Sequence, residues 1–152
     1  MPRFPARGRL RNYTDTILGK ERVTAMGASF RDLDVWQRAV ELTLAIYRLT
    51  ATFPDVERFG LTNQLRRAAV SVASNIAEGY GRATKGEYIQ FLGHARGSIS
   101  EVETQLVIAS ALSFGSKPLR QTAEGLCNEV GKMLRAMMKS LQAKDSSLVP
   151  SP

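Results

Sequence analysis

The sequence predicts an all-α protein, an antiparallel up-down-up-down four-helix bundle. Three observations carry that expectation. Apolar residues recur at steps of three and four in four separate segments, the period of helices that each bury a face. Short turns marked by Pro54, Gly79 to Gly81, and Gly115 join those segments. No stretch alternates apolar and polar residues for long enough to make a strand.

The first helix is expected from Asp34 to Phe53. Asp34 and Gln37 have the spacing of a capping box with an acidic cap. Trp36, Ala39, Val40, Thr43, Tyr47 and Thr50 form one stripe, and Val35, Leu42, Ile46, Leu49 and Phe53 a second. A helix this apolar is buried on two sides, and Pro54 stops it.

The second helix, from Leu61 to about Gly81, is the centre of the bundle. Leu65, Ala68, Ala69, Val72, Ile76 and Tyr80 make its apolar stripe, and Ala73, Ala77, Ser71 and Ser74 make a small-residue flank open to close approach by a neighbour. Thr62 is the expected cap, and Gly79 or Gly81 the left-handed ending. Thr84 and Glu87 then supply a capping box for the third helix, which extends toward Phe114 with Leu92, Ala95, Ile99, Val102, Leu106 and Ala109 on its core face. Gly115 ends it. Gly93, Gly97, Ser100 and Thr104 form a second small stripe on this helix.

The fourth helix begins near Ser116 to Pro118, where proline is tolerated in a first turn. Leu119, Ala123, Leu126, Val130, Met133 and Met137 step by four and three along its seam, and Cys127, Leu134, Met138 and Leu141 add a second apolar line. Gln121, Glu124, Asn128, Lys132, Arg135 and Lys139 make its solvent stripe. The domain organisation is therefore a basic extension over residues 1–29, expected to be disordered, a bundle over 30–143, and a frayed tail over 144–152. Translation starting at Met26 rather than Met1 is an open alternative, since the helical pattern begins only after it.

A chain of 152 residues suffices for one domain with a true core. The single cysteine, Cys127, excludes an internal disulfide and suits a reducing cytoplasm. No apolar run is long enough to span a bilayer, and the N-terminus lacks the apolar core of a secretory signal; a cytoplasmic location is expected. The net charge of +7 is uneven. Residues 1–29 carry six Lys/Arg against two Asp/Glu, and residues 30–143 carry fourteen against eleven, so the bundle itself is only mildly basic. Positive charge favours polyanionic partners.

Catalytic chemistry has little to stand on. His94 is the sole histidine, and Glu87 and Glu101 lie seven residues to either side on its face, about 10 Å away along a helix. One His and one Cys make no closed metal site, and Gly79-Tyr80-Gly81 closes a helix where a phosphate loop would open one. No enzymatic activity, metal or cofactor is expected. Arg66 and Glu103 fall at the edges of the apolar stripes and are expected to form a partly buried pair that fixes helix register. Arg67, Arg82, Lys85, Lys132, Arg135 and Lys139 are the candidate nucleic-acid contacts. The surplus apolar surface on the first and fourth helices predicts a homo-oligomer, which would repeat each cationic set around a symmetric assembly.

The segments FRDLDVWQRAVEL, QLRRAAVSVASNIAEGYGR and EYIQFLGHARGSISEVETQLVIA resemble the small four-helix-bundle proteins encoded within intervening sequences of bacterial large-subunit ribosomal RNA genes. The likeness is close over about residues 30–115 and looser over the fourth helix. Arg66-Arg67, Asn75 to Gly79 and Glu103 to Leu106 match that family's signature blocks; the extension before Phe30 does not. The resemblance implies a left-handed bundle, a ring-like homopentamer and no recognised enzymatic activity. A similar protein is the accessory subunit of diversity-generating reverse transcriptases. Three functions follow as expectations: binding of structured RNA or a nucleoprotein partner through basic residues, a protein-interaction scaffold without nucleic acid, and a reverse-transcriptase accessory.

Overall fold

The structure, a computed structural model, describes residues 29–146. The expectations for the basic extension, for Met26 and for the end of the tail lie outside those residues. Four α-helices occupy almost all of the rest: α1 Asp34–Thr50, α2 Leu61–Tyr80, α3 Lys85–Ala111 and α4 Lys117–Ser146. Two 3-10 turns, Phe30–Asp32 and Asp55–Glu57, precede α1 and α2, and no strand occurs among the described residues.

Each helix packs against two others, α1 closing on both α2 and α4, so the four stand at the corners of a square. Contacts along the three interfaces between successive helices run in opposite sequence order. Thr43 meets Ala69 while Thr50 meets Arg66; Ser71 meets Ser98 while Gln64 meets Gln105; Tyr88 meets Met137 while Ile99 meets Cys127. The core holds the second stripe of α1 and most of the stripes of α2 and α3, whereas Trp36, Val40, Thr43 and Tyr47 of the first α1 stripe are only half-buried. Leu42, Ile46, Leu49, Leu65, Val72, Ile76, Leu92, Val102, Leu106, Val130 and Leu134 are fully buried. On α4 the buried line is Ala123, Cys127, Val130 and Leu134, with Leu119, Leu126, Met133 and Met137 only partly covered beside it. The seam is thus rotated from the expected one toward Cys127 and Leu134.

Helix ends depart from expectation in informative ways. Asp34 is not the cap of α1: it is the first helical residue, Leu33 occupies the cap position without a side-chain bond, and Ser29 with Asp32 forms the capping box one turn earlier. Gln37 instead donates to the Arg31 carbonyl at 2.8 Å. The helix ends at Thr50, and tighter bonds from Thr52 to Leu49 and from Phe53 to Thr50 carry the chain to Pro54. Thr62 is buried and caps nothing; Gly60 holds the cap position of α2, and the Glu57 carboxylate accepts from Leu61 N at 3.0 Å. The α3 capping box forms as expected, Thr84 Oγ1 accepting from Glu87 N while Glu87 accepts from Thr84 N.

The glycines also differ in role. Gly81 has ordinary right-handed geometry, and Gly79 is buried inside α2, where a Cβ would stand 2.7 Å from Phe91 Cβ. Its lack of a side chain lets α3 approach. At the end of α3, Ser113 rather than Gly115 takes the first left-handed position, with φ of 56°. Phe114 N then bonds Ala109 O at 2.9 Å and Ser113 N bonds Ser110 O at 3.0 Å, which together make a Schellman ending. Gly115, at φ of 72°, turns the chain into α4, and Arg120 Nη1 donates to the Phe114 and Gly115 carbonyls across that turn.

Candidate nucleic-acid interface

The candidate cations fall into three places. Lys132, Arg135 and Lys139 are all exposed on the outer face of α4, spaced three and four residues apart, so that successive turns aim them the same way. Among the described residues none of the three lies within ion-pair distance of a carboxylate. Arg82 and Lys85 stand where α2 passes into α3. Arg82 is engaged already: its Nη2 donates to Glu78 Oε1 at 2.6 Å, and its guanidinium lies 4.6 Å from the Phe91 ring centroid. This pair and Lys139 share one end of the bundle, as the contact of Tyr88 with Met137 places them. Arg67 is exposed nearer the other end, about 22 Å from Arg82 along the helix. The six residues therefore do not make one patch.

Arg66 corrects an expectation. It makes no pair with Glu103. Its Nε donates to Thr50 Oγ1 at 2.9 Å, and its guanidinium sits 4.5 Å from the centroid of the Tyr47 ring, both on α1. Glu103 is exposed and lines a shallow groove of about 180 Å³ between α3 and α4, with Leu106, Val107, Glu124, Cys127 and Asn128. The reason is positional. Arg66 lies on the side of α2 that meets α1, whereas Glu103 lies on the side of α3 that meets α4.

Freed of that role, Arg66 joins Arg67 in a notch of about 500 Å³ between α1 and α2, lined also by Tyr47, Asn63, Val70 and Ser71. No carboxylate lines it, and among the described residues neither arginine has an acidic partner. Sequence reasoning missed Tyr47, Asn63 and Thr50 here. A signal existed: Thr43, Tyr47 and Thr50 put polar tips on an otherwise apolar stripe at steps of four and three. Thr43 Oγ1 reaches the Ala69 carbonyl at 3.1 Å and Thr50 Oγ1 bonds the Ile46 carbonyl at 2.7 Å, so the stripe faces a helix with polar groups to satisfy.

Beside the notch, sharing Val70 with it, runs a more apolar groove of about 330 Å³ lined by Phe30, Trp36, Val40, Leu44, Ala73 and Ala77 among others. Ala73, Ser74 and Ala77 of the small flank of α2 thus border an open groove in the single subunit, while Ser71 turns to Ser98 on α3. A second exposed apolar set, Val107, Ile108 and Leu112, sits on the last turns of α3.

The residues weighed for chemistry are occupied structurally. Cys127 is buried, its Sγ 3.7 Å from the Ile99 carbonyl; burial, and then the nearby charge of Glu103, push its thiol up to about 12, so it stays protonated at neutral pH. His94 is exposed with its ring edge-on to Phe91 at 5.7 Å, while Glu87 is spent on the α3 cap. Asn75 Nδ2 donates to the Ser71 carbonyl at 2.8 Å and to Ser71 Oγ at 3.0 Å, which satisfies it within its own helix. No group of acidic, histidine and cysteine side chains suited to a metal occurs among the described residues, and no helix there is long and apolar enough to cross a membrane.

Fold and surface together define a small all-helical bundle protein whose distinctive side chains are cationic and lie on separated outer faces. The chain belongs to the 23S rRNA-intervening sequence protein family, whose model matches residues 31–136. Its fold is similar to the crystal structure of a protein of unknown function from the S23 ribosomal protein family of Bacteroides thetaiotaomicron. The two share 20% sequence identity at a TM-score of 0.64, over 69% of this chain and 98% of that one. A search of the curated proteins finds no match.

Proposed function

We propose that this protein acts by binding rather than catalysis, as an assembly of copies that holds structured RNA on its cationic faces. The observation that carries the reading is the row Lys132, Arg135 and Lys139, three exposed like charges on one helix face with no neutralising carboxylate among the described residues. Like charges at such spacing destabilise a helix by a few tenths of a kcal/mol per pair, and a polyanion offsets that cost. Membership in the 23S rRNA-intervening sequence protein family makes ribosomal RNA the first polyanion to test.

The apolar surfaces support the assembly. A head-to-tail ring joins two different patches, one from each neighbour. Two such patches among the described residues are the α1–α2 groove and the Val107, Ile108, Leu112 set, with Val56 and Phe59 also exposed in the turn before α2. Five copies is the number the family resemblance implies. Each phosphate contact would then recur around the ring and gain by avidity.

Binding of a structured RNA followed by anisotropy across a salt series tests this. Affinity should fall by roughly 0.9 log unit per log unit of salt for each phosphate contacted on a duplex. Replacing Lys132, Arg135 and Lys139 by Ala should flatten that slope, and light scattering should give a mass several times the subunit. Salt-insensitive binding, or none at low salt, overturns the RNA reading. Protein partners retained after nuclease treatment would favour a scaffold instead.

A further inference from the structure

We propose that the notch formed by Tyr47, Asn63, Arg66 and Arg67 between α1 and α2 is a binding site for a phosphodiester group of a nucleic-acid strand, with Arg66 as its fixed fork. This deepens the RNA reading above and rests on it. Arg66 is the key residue because its side chain is held before any ligand arrives. Its Nε–H is taken by Thr50 Oγ1, whose own hydroxyl donates to the Ile46 carbonyl, and its guanidinium carbon lies 4.5 Å from the Tyr47 ring centroid. That leaves the two terminal nitrogens, Nη1 and Nη2, whose parallel N–H groups match two oxygens of one phosphate. A side chain ordered in advance loses less entropy on binding.

The surroundings suit an anion of that size. Arg67 follows Arg66 and lines the same notch, adding a second charge from an exposed position. Asn63, one turn earlier on α2, brings an amide donor to the rim. No carboxylate lines the notch, so the two positive charges are not cancelled locally. The space, about 500 Å³, is an open notch on the surface and admits a phosphate with its flanking sugar. Arg82 makes the contrast: it carries the same chemistry but is already bound to Glu78 and covers Phe91.

The test uses the full chain labelled in its arginine side chains, with guanidinium resonances followed by NMR at constant ionic strength. Three probes are added in turn: inorganic phosphate, a short oligouridylate, and the same oligomer with an uncharged methylphosphonate backbone. The oligouridylate should shift and slow the guanidinium signals of Arg66 and Arg67 but not that of Arg82, and the uncharged oligomer should shift none. Arg66→Lys keeps the charge but loses the fork, so affinity should drop about tenfold with the salt slope retained. Arg67→Ala should lower the slope by about 0.7 for a single strand. Arg67 and Asn63 are exposed, so Arg67→Ala and Asn63→Ala keep the test valid even where Arg66→Lys weakens the fold.

If RNA binds but neither arginine responds and these variants bind as the parent does, the notch is overturned while the RNA function stands. If neither the oligouridylate nor the structured RNA of the salt series binds, yet inorganic phosphate still moves both arginines, the RNA function falls and the phosphate site remains.

Discussion

The two sides of this bundle are held together by opposite means. Helices α2 and α3 meet through what is missing: Gly79 has no side chain where Phe91 arrives, and Ser71 and Ser98 touch hydroxyl to hydroxyl at 2.9 Å. Helix α4 adds long side chains to its small buried ones, with Leu134 fully buried beside Ala123, Cys127 and Val130, and Met133, Met137, Met138 and Leu141 packed around the edge of the core. Close approach of backbones leaves little room for adjustment, whereas methionines bend to fill irregular space. The first interface is specified by shape, the second by volume. Substitutions of opposite kinds should therefore break them.

Truncation should hurt α4 most. Leu134→Ala removes a fully buried side chain and is expected to cost about 2–5 kcal/mol. Denaturant unfolding should show this as a lower midpoint at unchanged slope. The position within that range is itself informative. A cost near the lower limit would mean that Met133, Met137 and Met138 collapse into the space; a cost near the upper limit would mean that this side is as rigid as the other.

Enlargement should hurt α2–α3. In Gly79→Ala the new methyl would stand 2.7 Å from Phe91 Cβ and 3.1 Å from Tyr88 Cδ2. Phe91 Cβ is bonded to the backbone and cannot swing aside, so helix α3 itself has to move. The expected loss is about 1–3 kcal/mol, again read from the unfolding midpoint. The Arg82 contact with the Phe91 ring should be disturbed along with it. An unchanged midpoint would remove the distinction between the two interfaces.

The sequence made one half of this comparison easy to see and hid the other. Periodicity located all four helices, and the six polar residues of the α4 stripe are all exposed. The Thr84–Glu87 box was legible because both partners lie within one turn of the helix start. The cap of α2 was not, because Glu57 folds back onto Leu61 from a separate 3-10 turn. The sequence points to Gly79 or Gly81 as a helix terminator, since a glycine near a helix end has that use more often than close packing, and only the position of Phe91 shows that Gly79 makes room for a neighbour. Arg66 escapes a sequence-based placement for a related reason. Its angle on α2 says that it borders the apolar stripe, but α2 has neighbours on two sides, and which of them stands beside Arg66 is decided by tertiary packing. The notch stayed hidden because its members come from two helices joined only by that packing. One turn of α1, Tyr47 to Thr50, supplies the wall and the acceptor, and one turn of α2, Asn63 to Arg67, supplies the donors.

The smallest expected effect gives the sharpest form of the comparison, because it makes the same chemical change with the opposite sign. Gly97 lies on the exposed side of α3, and a Cβ built there meets nothing within 4 Å. With no contact to lose, Gly97→Ala acts only through the backbone: alanine is the better helix former and has fewer unfolded conformations to give up. Stability should rise by about 0.5–1 kcal/mol, measured by thermal unfolding of the full chain over a range of protein concentrations. Paired with Gly79→Ala, this contrasts a glycine that makes room for a neighbouring helix with one that does not. A loss of stability growing with concentration would mean that another copy lies against this face of α3. A loss independent of concentration would mean that the face is not open even within the subunit, and the reading of α2–α3 as the side defined by close approach would have to extend around the helix.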